Sequence, residues 1–292
     1  MKSERVTPGD IVVGVDGSEH AKRALLWAAD QAVLEGRPLT VVHAAGEGDV
    51  RTAAWVQPGD VLASARKVVR AAVTVAKTAH PSLAVHAVAR IGDARRVLVE
   101  LSETAHLLVV GSRGRGTLAS MLLGSVSVNV AKHARCPVVV TRPGRHGVVT
   151  DGVLVGAEGT PESLPVIEFA FRQASLRGVP LTVMHTSFDV AAAVAITDNA
   201  TDDSADDLRL LLSESVAGLK EKFPDVHVTL QLGYGLVDEC LTRGLRPRDL
   251  IVVGRHPVHT LSKLLAGSVS TAVLERSDSP VAVVPEGAPT TP

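Results

Sequence analysis

The sequence predicts an α/β protein built from two tandem, doubly wound, five-stranded parallel-sheet domains. Short β-branched runs such as 11–15 and 107–110 alternate with longer segments of helical period, and the connections between them are short. Aromatic residues are only 2% of the 292 while hydrophobic residues reach 46%, so the core has to be Val, Leu and Ala, as in parallel strands covered by Ala-rich helices. The chain also repeats itself. Residues 14–18 match 156–160 and 38–43 match 180–185 at an offset of 142 (185 − 43). Gly111 matches Gly254, Gly124-Ser125 matches Gly267-Ser268, and Cys136-Pro137 matches Ser279-Pro280 at an offset of 143 (254 − 111). A period this long means two globular domains, and one residue of drift means one loop insertion.

Taken in order, 11–15 is too short for a helix and β-branched enough for an inner strand; it stops at Asp16-Gly17-Ser18. Ser18 caps a helix over 19–35, with Leu25, Leu26, Ala29 and Val33 at helical spacing and Gly36 as the left-handed exit. The second strand is 39–44. A loop over 47–60 leads to a helix over 61–79, a strand over 84–89 and, opened by Gly92-Asp93, a helix over 94–104. Strands four and five are 107–110 and 138–141, with a helix over 126–133 between them. This alternation predicts the strand order 3-2-1-4-5. Pro143, Gly144 and Gly147 mark 142–150 as the linker, which gives domains 1–147 and 148–292. The tract 197–207, with five Asp and no apolar residue except Ala, reads as a solvated loop before a helix over 208–222.

Thirty Lys plus Arg against 31 Asp plus Glu leave a formal net charge of −1, which offers no general basic surface to nucleic acid or membrane. Cys136 and Cys240, one in each half, form neither a disulfide framework nor a metal cluster and read as buried thiols of a reducing compartment. The start, Met-Lys-Ser-Glu-Arg, lacks the apolar core of a signal peptide, and no apolar run approaches membrane-spanning length. The expected location is the cytoplasm.

The chemistry concentrates after the fourth strand. Gly111 and Gly114 end it without a Cβ, so backbone there can approach a ligand, and Gly124-Ser125 opens a helix whose free N–H groups and positive dipole end suit an anion, phosphate above all. In the order 3-2-1-4-5, Asp16 ends strand one beside Gly111, with Ala44 close by at the end of strand two. A carboxylate and open backbone then face the base and sugar of a mononucleotide, with the Gly114 and Gly124-Ser125 amides around its phosphates. Asp16 has a second reading, as the maker of a local turn ahead of Ser18. The loop residues Ser112, Arg113, Arg115 and Gly116 complete the expected first-half set; the two arginines either neutralise phosphates or are solvated surface. The absence of Lys before Thr117 rules out a Walker A loop, and no metal-ligand set or Ser-His-Asp arrangement is recognisable by spacing. His43 and His185 recur at matching strand ends and read as packing residues.

These residues resemble a known family. Val13-Gly14-Val15-Asp16-Gly17-Ser18, Gly92-Asp93, Gly111-x-x-Gly114-x9-Gly124-Ser125 and the Cys136-Pro137 ending are similar to the universal stress proteins in their tandem two-domain form, over nearly the whole chain. The resemblance implies an ATP-binding regulatory protein of the stress response. It places Asp16 and Ala44 on the adenosine, Gly14 under the base, Gly111 and Gly114 along ribose and phosphates, and Gly124, Ser125, Val126 and Ser127 on the phosphate tail. It also implies homodimers paired through the fifth strands, 138–141 and 281–284. Mg²⁺ accompanies the triphosphate, held by phosphate oxygens rather than a protein cage. No general base besides Asp16 is identifiable, so at most a weak ATPase is expected. The alternatives are a nucleotide-free dimerising module and a slow ATP-hydrolysing enzyme.

The second copy departs from the pattern. Glu158 stands for Asp16 and Pro257 for Gly114, which removes a donor N–H, while Gly156, Gly254, Gly267 and Ser268 keep their places as a second, residual nucleotide set.

Overall fold

The computed structural model describes residues 7–46, 58–114, 123–143, 151–158, 160–187, 203–243, 246–255 and 269–286. The chain divides into two compact units, Met1–Pro143 and Gly144–Pro292. The first contains β1 (Ile11–Gly14), α1 (Glu19–Leu34), β2 (Leu39–Ala45), α2 (Pro58–Ala79), β3 (Val85–Ile91), α3 (Ala94–Leu101), β4 (Leu107–Gly111), α4 (Ser125–His133) and β5 (Val138–Thr141). Its strands are all parallel in the order β3-β2-β1-β4-β5, so the sequence direction reverses between β1 and β4.

The second unit repeats the plan with β6 (Val153–Gly156), a 3₁₀ turn (Pro161–Ser163), α5 (Leu164–Arg177), β7 (Leu181–Ser187), α6 (Asp203–Lys222), β8 (Val228–Tyr234), α7 (Val237–Thr242), β9 (Leu250–Arg255), α8 (Val269–Arg276) and β10 (Val281–Pro285). The order is β8-β7-β6-β9-β10. Strand register dates the one-residue drift: Leu39 faces Val85 and Leu181 faces Val228, so the offset is 142 (181 − 39) at the second strand and 143 (228 − 85) at the third. The extra residue lies between β7 and β8.

Because both faces of the sheet are covered, β1, β4 and β5 bury every Val, Leu and Ile to within 3% of full burial. Helix α1 meets them with Ala21, Ala24, Leu25, Ala28, Ala29 and Ala32, small side chains that let the helix axis come close to the sheet. The expected Val33 is not part of that face; it is 48% exposed, since the buried stripe follows Ala28-Ala29-Ala32. Ser18 caps α1 as expected, accepting from the Ala21 N–H at 3.2 Å, and Gly36 takes the left-handed conformation just beyond the helix (φ +61°).

Other boundaries move for local reasons. Helix α2 starts at Pro58, three residues before expectation, because a first-turn proline needs no N–H partner. Helix α6 starts at Asp203, five residues before expectation, so the end of the acidic tract belongs to the helix; 197–202 lie outside the described residues. Cys136 is buried as expected, whereas Cys240 is only half-buried; burial, and then Glu239, push its thiol above its usual range. Among the described residues no helix is long and apolar enough to cross a membrane.

Candidate functional site

The carboxyl ends of β1 and β4 diverge around a cleft of about 410 Å³, within the roughly 300–1,000 Å³ usual for small-molecule sites. One wall is the turn after β1. Asp16 does what its turn reading requires: its Oδ1 accepts the Ser18 N–H at 2.9 Å, with Gly17 at φ +81°. This local bond also aims the carboxylate, because Oδ2 is the atom that a Cβ on Gly114 would strike. Turn residue and cleft residue are therefore one role. The turn is tied from behind by His43, whose Nδ1 stands 2.6 Å from the Val15 carbonyl and must carry the proton that this contact needs. His185 makes the same contact with Ala157 at 2.9 Å, which agrees with a packing role at both strand ends.

The opposite wall is the loop after β4 and the start of α4. The Ser112 N–H donates to Thr141 O at 3.0 Å, and the Ser112 carbonyl accepts from the Gly124 N–H at 2.7 Å and the Ser127 hydroxyl at 3.2 Å. That clamp corrects two expectations. The Gly124 amide is already engaged and is not a free phosphate donor. Ser112 does not line the cleft: it is fully buried, its hydroxyl has no partner among the described residues, and its contribution is the carbonyl. What remains open is the first turn of α4. Gly124, the N-cap, has no side chain to satisfy it, so the first-turn N–H groups of Ser125, Val126 and Ser127 have no partner within the helix, and all three residues line the cleft.

Gly111, Gly114 and Gly124 differ in why they are glycine. A Cβ at Gly111 would stand 2.7 Å from the His20 carbonyl oxygen, so this residue is required by the approach of α1 to the sheet rather than by a ligand. A Cβ at Gly114 would meet the Asp16 carboxylate. At Gly124 the nearest atoms are 3.5 Å away, an ordinary contact, so nothing in the described protein demands glycine there and the cleft itself is what its bareness leaves open. Arg113 supplies positive potential: burial first, and then Arg113 and Arg23, push the His20 imidazole below its usual range, against the pull of Asp16.

Of the first-half residues expected at the site, Gly14, Asp16, Ala44, Gly111, Arg113, Gly114, Gly124, Ser125, Val126 and Ser127 all line this cleft; Arg115 and Gly116 lie outside the described residues. Sequence reasoning missed the apolar walls, namely Val15, Val42, Val110 and Leu123 beside the flagged positions, and Ala94 with Leu98 on α3. The last pair had a signal in the Asp93 cap that starts α3, since the two residues are one turn apart behind it. Leu98 packs so close to Gly14 that a Cβ there would stand 3.0 Å from its Cδ1. Asp93 accepts from the Arg95 N–H at 2.8 Å, and the same arginine's side chain holds its carboxyl down to about 2.

The second unit keeps the frame and alters the contents. Gly156 meets Leu241 as Gly14 meets Leu98, with a would-be Cβ 3.1 Å from Leu241 Cδ1. Glu158, however, is exposed where Asp16 is half-buried. A Cβ on Gly254 would meet not a helix backbone but the Glu286 carboxylate, at 2.5 Å. Leu236 replaces Asp93 and gives α7 no side-chain cap. Gly267, Ser268 and Pro257 lie outside the described residues.

Comparison with known proteins agrees with this duplicated plan. Residues 9–142 and 150–285 each match the Universal stress protein family. A universal stress protein of Mycobacterium tuberculosis is 35% identical over 94% of this chain and 96% of its own length. One from Mycolicibacterium smegmatis is 33% identical over 96% and 98%. In three dimensions, the crystal structure of a universal stress protein from Archaeoglobus fulgidus superimposes with a TM-score of 0.68 over 95% of this chain and 96% of that one; at 21% identity this speaks for the fold.

Proposed function

The chain belongs to the universal stress protein family, in a tandem form with two such domains, and from that premise we propose that its first domain binds ATP and that occupancy of the site controls the conformation or association of the chain in a cytoplasmic stress response. The observation that carries this reading is the meeting, in one cleft, of an oriented carboxylate at Asp16, a bare loop at Gly114 and the uncapped first turn of α4. The shape divides the ligand. Apolar walls from Val42, Ala94, Leu98 and Val110 suit the faces of a base, while the α4 amides and Arg113 suit phosphate oxygens.

Mg²⁺ belongs to the same reading. Among the described residues no three His, Cys, Asp or Glu stand together as a metal cage, so the ion would be held through the phosphates. Asp16 is already engaged in its turn, and we assign it to binding rather than to catalysis; turnover is at most slow. Pairing of two chains through the fifth strands, β5 and β10, is part of the proposal, and sedimentation velocity checks it.

The direct test is chromatographic identification of any nucleotide released from the purified protein, followed by calorimetric titration with ATP and Mg²⁺. An adenine nucleotide in the extract, or saturable heat on titration, is expected. An empty extract together with no heat would leave the nucleotide-free module as the better reading, and rapid multiple turnover would replace it with an enzyme.

A further inference from the structure

The helices that join the second strand to the third in each unit, α2 and α6, occupy the same place in the fold and carry opposite charge. Helix α2 has Arg66, Lys67, Arg70 and Lys77 against Asp60 alone, and no Asp or Glu occurs anywhere in 61–92. Helix α6 has five Asp or Glu against three Lys or Arg, and one of those three, Lys222, is turned to Glu168 of its own unit at 2.6 Å. The charges fall in lines. Helix α2 buries Val61, Ala65, Val69 and Ala76, so the line farthest from the sheet is Ala63, Lys67, Arg70, Thr74 and Lys77, every one exposed. Helix α6 buries Leu212 and Val216, and its outer line is Leu210, Glu214, Ala217 and Glu221, again all exposed. Lys67, Arg70, Lys77, Glu214 and Glu221 make no ion pair among the described residues.

The spacings agree as well as the signs. Arg70 and Lys77 are seven residues apart (77 − 70), and so are Glu214 and Glu221 (221 − 214), which is two turns, about 10.5 Å, on both helices. Between the charges each line is small. Thr74 lies midway on α2, with its hydroxyl donated to the Arg70 carbonyl at 3.1 Å and so in no need of a partner, and Ala217 with Gly218 lies midway on α6. Laid against each other in either direction, the two lines set Thr74 on Ala217 or Gly218 while both cations stand opposite both carboxylates. Leu210, one turn before Glu214 and 60% exposed, adds apolar area beside them.

We infer that the outer face of α2 is a docking surface for the outer face of α6 on a second copy of this chain, with Arg70 and Lys77 on Glu214 and Glu221 and with Lys67 adding to the positive side. Charge complementarity and the shared seven-residue spacing select this occupant. Because the two faces are unlike and each chain carries one of each, the contact passes from chain to chain rather than pairing a surface with itself. The inference rests neither on nucleotide binding by the first unit nor on pairing through the fifth strands.

Exposed ion pairs are individually weak and screened by salt, so the test is sedimentation velocity of the full chain over a concentration series in about 20 mM and about 500 mM NaCl. The weight-average sedimentation coefficient rises with concentration in the low salt, and the rise is lost in the high. Arg70→Glu with Lys77→Glu makes both faces acidic, and Glu214→Lys with Glu221→Lys makes both basic; each double variant alone associates at least about tenfold more weakly than wild type. An equimolar mixture of the two restores association, because each face of one variant then meets its opposite on the other, and recovery of this kind cannot come from a folding defect. No association of the wild type in low salt, or a mixture that stays apart, overturns the proposal. Association that resists both salt and the double variants overturns it too, and assigns self-association to another surface such as the fifth strands, so the two readings fail separately. Loss in the α2 variant alone, together with a labelled oligonucleotide that binds the wild type and not that variant, also overturns it, because the basic line then belongs to a nucleic acid.

Discussion

The two units share one topology and one strand register, yet Gly111 and Gly254, the same residue by position, are glycines for different reasons. Gly111 sits under the backbone of α1, and its missing Cβ is what lets that helix seat on the sheet. Gly254 faces Glu286 Oε1 and Val166 Cγ2, side-chain atoms that can give way. A repeated motif therefore does not repeat its physical cause. What has to be compared is the set of atoms each residue meets.

That difference predicts the largest effect. Gly111→Ala forces a Cβ against a backbone carbonyl and is expected to cost about 3 kcal/mol of stability, at the upper end for overpacking. Gly254→Ala displaces only a carboxylate and costs no more than about 1 kcal/mol. Urea unfolding of both variants checks the ratio, and equal losses would break the comparison.

Binding comes next. Asp16→Ala removes both the Ser18 turn bond and the carboxylate beside Gly114, and should weaken ATP affinity at least about tenfold, ~1.4 kcal/mol. Glu158→Ala should leave it untouched by the same titration. Gly124→Ala separates fold from site: the protein has room for the new Cβ, so stability falls by no more than about 1 kcal/mol while ATP binding weakens several-fold. Loss of both together would mean that Gly124 serves the fold after all.

The smallest effect converts one unit toward the other. Asp93→Leu reproduces Leu236 at the start of α3 and should cost about 1 kcal/mol through the lost cap. The acid's folded-state carboxyl is held down to about 2, chiefly by Arg95. A depressed carboxyl contributes stability that is full above its unfolded range near 4 and lost as pH falls toward 2. The gap between wild type and Asp93→Leu should accordingly be constant near neutrality and close only below about pH 4. Thermal melts across that range measure it.

Much of this frame was legible in the residues. Strands such as Ile11–Gly14 and Leu107–Gly111 announce themselves because inner parallel strands are apolar on both faces, and Ser18 and Gly36 mark the ends of α1 through backbone requirements that act locally. The convergence of Asp16 on the glycine loop followed from strand order alone. What stayed hidden depends on tertiary distance. Nothing local says that Gly111 lies under His20, that the Ser112 carbonyl takes the Gly124 amide, or that Leu98 reaches across to Gly14. Val33 misled because helical spacing fixes a face only to within one residue's rotation, and the alanines decided which stripe was buried.

The central claim is that one of the two homologous units is built to hold a nucleotide and the other is not. Calorimetric titration of the full chain with ATP and Mg²⁺ tests it by stoichiometry. The account predicts one site per chain, lost in Asp16→Ala and kept in Glu158→Ala; two sites per chain, or a single site that survives Asp16→Ala and disappears with Glu158→Ala, would contradict it.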